Sequence, residues 1–332
     1  MTEQANLAGW HLSAPRTSRF SQDETAMLNL SPFFLTPPGP LGRLPPLAPL
    51  PEYGDLSWIF NLLRNSPLAF AARGETVFIH KALFRDDKVP GPLLSAFGIS
   101  AACASLNDRN KAILFQAVDG QVNGLLASSS FVNTNSTSNT RLLEDLARMQ
   151  ALVLYQIIRL FYGGVEQRAV SEQQAFAVRA QALRLLQSFD ADAHIESGSS
   201  DASPSPQTWE GWILAESIRR TVFVAFKLYT LYAAFRYGYC VETTALAMLP
   251  VSTRPMRAWY SREVYDDWQA SSPGTAGSGD TTTMGIFASS MAMRPMTGPL
   301  DLDNFERAIC QSAGEVPFLR PENVPGSGRL IK

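Results

Sequence analysis

Cysteine, histidine and charge of either sign are scarce in this 332-residue chain, and each scarcity removes a class of function. Only Cys103, Cys240 and Cys310 occur, widely separated and with no C-x-x-C pair. That excludes a disulfide framework and a self-contained cysteine-rich zinc module. The formal net charge of −2 excludes a chain that holds nucleic acid by bulk positive charge. Charged residues make up 17% of the chain, below the roughly 25% usual in soluble domains. Long hydrophobic runs are missing too. The most apolar stretch, Thr221 to Phe235, contains Lys227 and is too short to span a bilayer. The first 30 residues scatter Arg16, Arg19, Asp23 and Glu24 among apolar residues, so no secretory signal is expected. No dense Lys/Arg cluster marks nuclear import either. A cytosolic or nuclear protein with reduced thiols and no membrane partner is the expectation.

Catalytic signatures are also absent. The chain has no G-x-S-x-G, no G-x-x-x-x-G-K-[ST] and no G-x-G-x-x-G behind a strand. Of three histidines, His11 falls in the N-terminal tail and His194 in a polar stretch. A triad or histidine metal site would therefore have to use His80, which reads instead as a packing histidine bonded to backbone. The acidic run Asp301–Glu306 has calcium-type oxygens but lacks the length and glycine of a calcium loop. Asp303 with Glu306 reads as a helix capping box. No catalytic residue, cofactor or metal ligand is assigned, and the chain is not expected to be an enzyme.

What is present is helical. Nine prolines lie at or before Pro51, eight of them from Pro32 on, which predicts an extended, disordered tail or linker over 1–51. Ser/Thr/Gly/Asn/Pro-rich stretches at 127–140, 190–208 and 270–283 predict flexible loops. Between them Leu142, Leu146, Met149, Val153, Ile157 and Leu160 fall within roughly 80° of one another at ~100° per residue. That stripe predicts a helix capped by Thr140 and stopped by Gly163-Gly164. Ala175, Phe176, Leu183, Leu186 and Phe189 mark a second helix. Ile113, Leu114, Val118, Val122 and Leu125 mark a third, with further helices over Asp55–Arg73 and Pro92–Leu106. Thr76–Ile79 is the one β-like run. The fold class expected is all-α.

The segment from about 207 to 238 is apolar nearly all round, as a central helix packed on several sides must be. Glu216, Arg220 and Lys227 form a narrow charged line on it, with Trp209 on the same side. Glu216 and Arg220 stand at i, i+4 and read as an internal brace, with Arg219 pointing to a neighbouring helix. Phe223, Phe226, Tyr229 and Tyr232 recur at helical spacing, which fits core packing, or else the wall of a pocket.

Ala215-Glu216-Ser217-Ile218-Arg219-Arg220-Thr221, preceded by Trp209 and Trp212, resembles the helical regulatory domain of fungal zinc-cluster transcription factors. The likeness is strongest to the type found in regulators of secondary-metabolite gene clusters. Met149–Phe161 is similar to that group's hallmark helix, and Gln167-Arg168-Ala169 follows in order. Asp55–Phe70 with Phe78-Ile79-His80 is similar to its opening segment. Gly238-Tyr239-Cys240, Arg257-Ala258-Trp259 and Trp268 resemble its closing part, and Leu302–Val316 its last helix. The likeness covers 52–316, leaving 317–332 as a tail, and marks Trp212, Glu216, Arg219 and Arg220 as the signature of the family helix.

The resemblance implies a nuclear, pathway-specific transcriptional regulator that acts through its helical domain. Its expected partner is a DNA-bound transcription factor or co-regulator, with a homo- or heterodimer allowed. The family's six-cysteine cluster, which holds two zinc ions and reads DNA, has no counterpart before residue 52. DNA contact is therefore expected to be indirect, or to need a zinc cluster encoded upstream of Met1. The alternative expectation is a ligand-sensing or inhibitory module that modulates a full-length zinc-cluster regulator.

Overall fold

Helix boundaries follow the punctuation of the sequence, in places more closely than the apolar pattern foretold. A computed structural model describes residues 53–84, 89–127, 138–197, 208–237, 243–271, 281–292 and 305–309. All of them belong to one compact unit. The stretch expected to form one helix over Asp55–Arg73 forms two, α1 (Tyr53–Arg64) and α2 (Ser66–Arg73). Pro67 cannot donate to the carbonyl one turn back, so the ladder breaks at Asn65 and restarts with proline in the first turn. Gly74 then ends α2 in the left-handed conformation (φ 68°), its N–H bonding the Phe70 carbonyl at 2.8 Å.

The β-like run Thr76–Ile79 pairs with no strand. It closes on itself: the Thr76 hydroxyl accepts from the N–H groups of Phe78 (3.2 Å) and Ile79 (2.9 Å), and Thr76 N–H donates to the Ile79 carbonyl. A short 3-10 turn, Lys81–Phe84, follows.

Next come α3 (Gly91–Ala104), α4 (Lys111–Ala127), α5 (Ser138–Tyr162), α6 (Val165–Ser197) and α7 (Trp209–Tyr237). Thr140 lies inside α5 and does not cap it, and α6 continues to Ser197, through residues expected to be loop. The turn between α5 and α6 falls at Gly163-Gly164. A β-carbon on Gly163 would lie 2.6 Å from Cβ of Gln167 and collide with the Arg159 carbonyl, so only glycine fits this approach. The closing part holds α8 (Thr243–Ala247), β1 (Pro250–Ser252), a 3-10 turn (Met256–Trp259), α9 (Arg262–Ser271), β2 (Thr281–Thr283) and α10 (Met284–Ala292). Residues 305–309 form one more helical turn. The strands β1 and β2 pair antiparallel, Val251 opposite Thr282. Three residues are too few to show alternation in a sequence, and the composition of 270–283 predicts a loop there instead. The fold is nonetheless all-α, the ribbon being a small appendage.

Two central helices, rather than one, organise the core. α7 packs against α5 and α6 and touches α1, α8, β1 and α9. The expected stripe on α5 is buried throughout, but so is every residue from Met149 to Leu160. Its polar side is closed by partners on other elements. Gln150 donates to the Phe78 carbonyl at 2.9 Å, and Gln156 to Gln174 of α6 at 3.0 Å. Arg159, 1% exposed, bonds Asp119 of α4 at 2.6 Å and also Gln174. Two residues expected in apolar stripes lie outside: Ile113 is 69% and Phe176 51% exposed. The tails, most of each expected loop, Cys240, Cys310, His11 and the Asp303 cap lie outside the described residues, whereas His194, expected in a loop, falls on helix α6.

Candidate functional site

Burying charge on α7 requires that every donor and acceptor be met. Glu216 is 1% exposed and bridges two cations: its Oε1 accepts from Arg220 Nε at 2.9 Å and its Oε2 from Arg219 Nε at 3.0 Å. Arg219 thus turns back onto its own helix, where the sequence had it reaching a neighbouring one. Arg220, fully buried, also donates to the Val77 carbonyl (3.3 Å) and the Met256 sulfur (3.5 Å). Its guanidinium lies 4.0 Å from the centroid of Trp259 and 4.3 Å from that of Phe305. One side chain therefore ties α7 to the Thr76 turn, to the Met256–Trp259 turn and to 305–309. Buried hydroxyls behave alike: Ser217, Thr221 and Thr230 each bond the carbonyl one turn back.

An aromatic wall stands beside this cluster. His80 contacts the Trp209 and Trp259 rings edge-on, centroids 5.6 and 4.7 Å away. Its Nε2 donates to the Trp259 carbonyl at 2.8 Å and its Nδ1 accepts from Ala82 N–H at 3.1 Å. Both ring nitrogens are committed to backbone, so His80 has no nitrogen left to act as a general base. Burial drives its pKa from 6.5 down to about 4, opposed by the Trp259 carbonyl, which favours the protonated ring. Trp209 and Trp212 point their indole N–H groups at the Ala258 carbonyl (2.9 Å) and the Ser252 hydroxyl (3.4 Å). Arg254 stacks on Tyr265 and Trp268 at 5.0 and 4.7 Å. The indoles and cations of the closing part thus clamp the N-terminal third of α7.

Among the clefts between the described residues, one lies at each end of α7. The larger, about 810 Å³, runs between α1, α2 and the Tyr260 region, with His80 and Trp259 at its floor. Trp58, Arg73, Lys81 and Tyr260 face it as well. The smaller, about 480 Å³, lies at the other end of α7, among Phe60, Phe161, Arg168, Tyr232 and Phe235. Of the four aromatic residues at helical spacing, Phe223, Phe226 and Tyr229 are core, and Tyr232 lines the smaller cleft.

Set against known proteins, the chain is 31% identical over 176 residues to the transcription factor gsfR2 of Penicillium aethiopicum. The chain is a distant relative of a fungal transcription factor. The aligned stretch is 52% of this chain and 41% of that protein, so the chain spans less than half the length of its relative. No family model matches, and no solved structure matches.

Trp212, Glu216, Arg219 and Arg220 are brought together with His80 and Trp259, residues the sequence had placed in separate motifs. No group of three or more His, Cys, Asp or Glu is placed to hold a metal ion among the described residues. Cys103, buried alone in the core, offers no partner ligand, so the described residues do not fit a zinc pair. Among the described residues no helix is long and apolar enough to cross a membrane. Sequence reasoning missed the role of Arg159, buried on α5 with Asp119 and Gln174. An arginine inside an otherwise apolar helix was the available signal.

Proposed function

We propose that residues 52–316 form the helical regulatory domain of a transcriptional regulator. It works in the nucleus and controls the genes of one secondary-metabolite cluster. The observation that carries this reading is the 31% identity to a fungal transcription factor. The charge-braced helix α7, locked to the indoles of the closing part, supports it as a rigid scaffold for protein contacts. Recruitment runs through a DNA-bound transcription factor or co-regulator, or through a homo- or heterodimer. Burial of an apolar helix face in such a partner supplies several kcal/mol without a basic surface. A net charge of −2 fits indirect DNA contact.

The test combines chromatin recovery with a deletion strain. Recovery of the tagged chain at target promoters is expected to vanish when its DNA-bound partner is removed, while the purified chain leaves naked DNA unretarded. Transcripts of one gene cluster should change on deletion: a fall indicates an activator, a rise an inhibitor. Unchanged transcripts genome-wide would overturn the regulatory reading. Salt-sensitive nanomolar binding of the purified chain to DNA would overturn indirect recruitment.

A further inference from the structure

The smaller cleft brings together rings in edge-to-face contact and a cation that has no ion-pair partner among the described residues. Phe60 meets Phe161 and Phe235 edge-on, both at 4.8 Å between centroids, so three phenyl rings form one continuous aromatic surface. Leu160 and Val165 extend it, Val165 being 81% exposed at the mouth. Two arginines line the same space, and they differ in how they are used. Arg236 is ion-paired with Glu172 and donates to the Tyr232 hydroxyl at 2.8 Å, while that hydroxyl donates to Glu172 at 2.6 Å. This trio is neutral and satisfied. Arg168 spends only its Nε, on the Leu160 carbonyl at 3.2 Å, one of the acceptors left open at the end of α5. Its two terminal amino groups make no hydrogen bond or ion pair with the described residues.

We propose that this cleft binds an aromatic carboxylic acid, its ring against Phe60, Phe161 and Phe235 and its carboxylate on the fork of Arg168. The chemistry narrows the class. A guanidinium already held at Nε presents its remaining N–H groups in the fixed planar geometry that carboxylates match. One cation with no ion-pair partner among the described residues suits a monoanion. A dianionic phosphate would bring a second charge for which the cleft has no further uncommitted cation, because Arg236 is already paired with Glu172. The ring floor favours a flat aromatic body over a flexible chain, which loses more conformational freedom on burial. A volume of about 480 Å³ holds a small ring system. This inference does not rest on the transcriptional reading, because it concerns binding by the purified chain alone.

Calorimetry of the full chain with 2-naphthoate, against neutral 2-naphthalenemethanol and dianionic phenyl phosphate, tests it. The acid is expected to bind about tenfold more tightly than the alcohol, the factor one charge-assisted contact supplies. Phenyl phosphate should bind more weakly than the acid. Arg168→Gln should remove the preference for the acid and leave the alcohol unchanged, and Arg168→Lys should restore part of it. Because Arg168 also caps α5, Val165→Glu provides a second route. It places a negative charge at the mouth without touching the cap, and should weaken the acid several-fold but not the alcohol. Tyr260→Ala, in the larger cleft, should change nothing. The proposal is overturned if 2-naphthoate gives no binding up to millimolar concentration. Equal affinity for acid and alcohol, or loss of binding in Tyr260→Ala but not in folded Arg168→Gln or Val165→Glu, would overturn it too.

Discussion

Glu216 and Arg220 stand one turn apart on α7, joined by a 2.9 Å hydrogen bond and both withdrawn from solvent. Arg219 takes the other carboxylate oxygen, so a single buried carboxylate faces two guanidinium groups. Removing it takes from both guanidinium groups the carboxylate they share. Glu216→Gln is expected to cost about 3–5 kcal/mol of unfolding free energy, the range for breaking a buried pair from one side. Arg219→Ala should cost less, because its side chain lies at the edge of the core (8% exposed) and water can reach the vacated space. Urea unfolding monitored by helix content measures both. A loss under about 1 kcal/mol for Glu216→Gln would show that the brace is not needed for stability.

The imidazole of His80 makes stability depend on pH. Its pKa is about 4 in the fold and near 6.5 in the unfolded chain, so below 6.5 the unfolded chain binds more protons. This contribution is therefore fully present above pH 6.5 and declines as pH falls from 6.5 towards 4. The melting temperature should drop between pH 7 and pH 5, and the drop should be smaller in His80→Gln. An equal drop in the two proteins would assign the effect to other groups.

Adjacent glycines between α5 and α6 are expected to behave differently. A β-carbon at Gly163 meets the Arg159 carbonyl and Gln167, whereas one at Gly164 meets nothing within 4 Å. Gly163→Ala should destabilise by about 1–3 kcal/mol, the cost of forcing atoms into a filled space. Gly164→Ala should stay within about 0.5 kcal/mol of the parent. Equal effects in chemical denaturation would contradict the close approach.

Cys103 is 3% exposed, and burial raises its thiol pKa to about 11. It should resist alkylation by iodoacetamide at pH 8 in the folded protein and react when the chain is unfolded, because the thiolate is the reactive form. Mass spectrometry of digests reads this directly at that site. Rapid labelling of the native protein at Cys103 would contradict its burial.

Local signals carried much of the fold. The α5 stripe from Leu142 to Leu160, the stop at Gly163, and the all-round apolar character of 209–237 each depend on neighbours within a few turns, and each was legible. The Glu216–Arg220 pair was legible for the same reason, since i, i+4 residues meet on any helix. The errors lie where partners come from far along the chain. The run Thr76–Ile79 has strand-like residues, but Gln150 and Arg220 hold its carbonyls at Phe78 and Val77, so it forms a turn. The β1–β2 ribbon joins segments some thirty residues apart and leaves no pattern in either. Of the four aromatic residues offered as a pocket wall, Tyr232 lines the smaller cleft. Beside Phe235 and Arg236 of α7, the other walls come from α1, α5 and α6, which no helical period of α7 foretells.

By itself the sequence determined the fold class and the central place of α7, because apolar periodicity and helix-breaking residues act locally. It also determined that burying α7 must bury Glu216 with a cation. Only the tertiary structure decided that α5 is equally central, since its polar side is buried by Asp119, Gln174 and the Phe78 carbonyl from other elements. It alone set Arg220 between Trp259 and Phe305, 39 and 85 residues further on. It likewise placed Arg168 beside three phenyl rings with no counter-charge among the described residues. Burial and pairing at those positions belong to surfaces built from several helices, and no single stretch of the chain contains them.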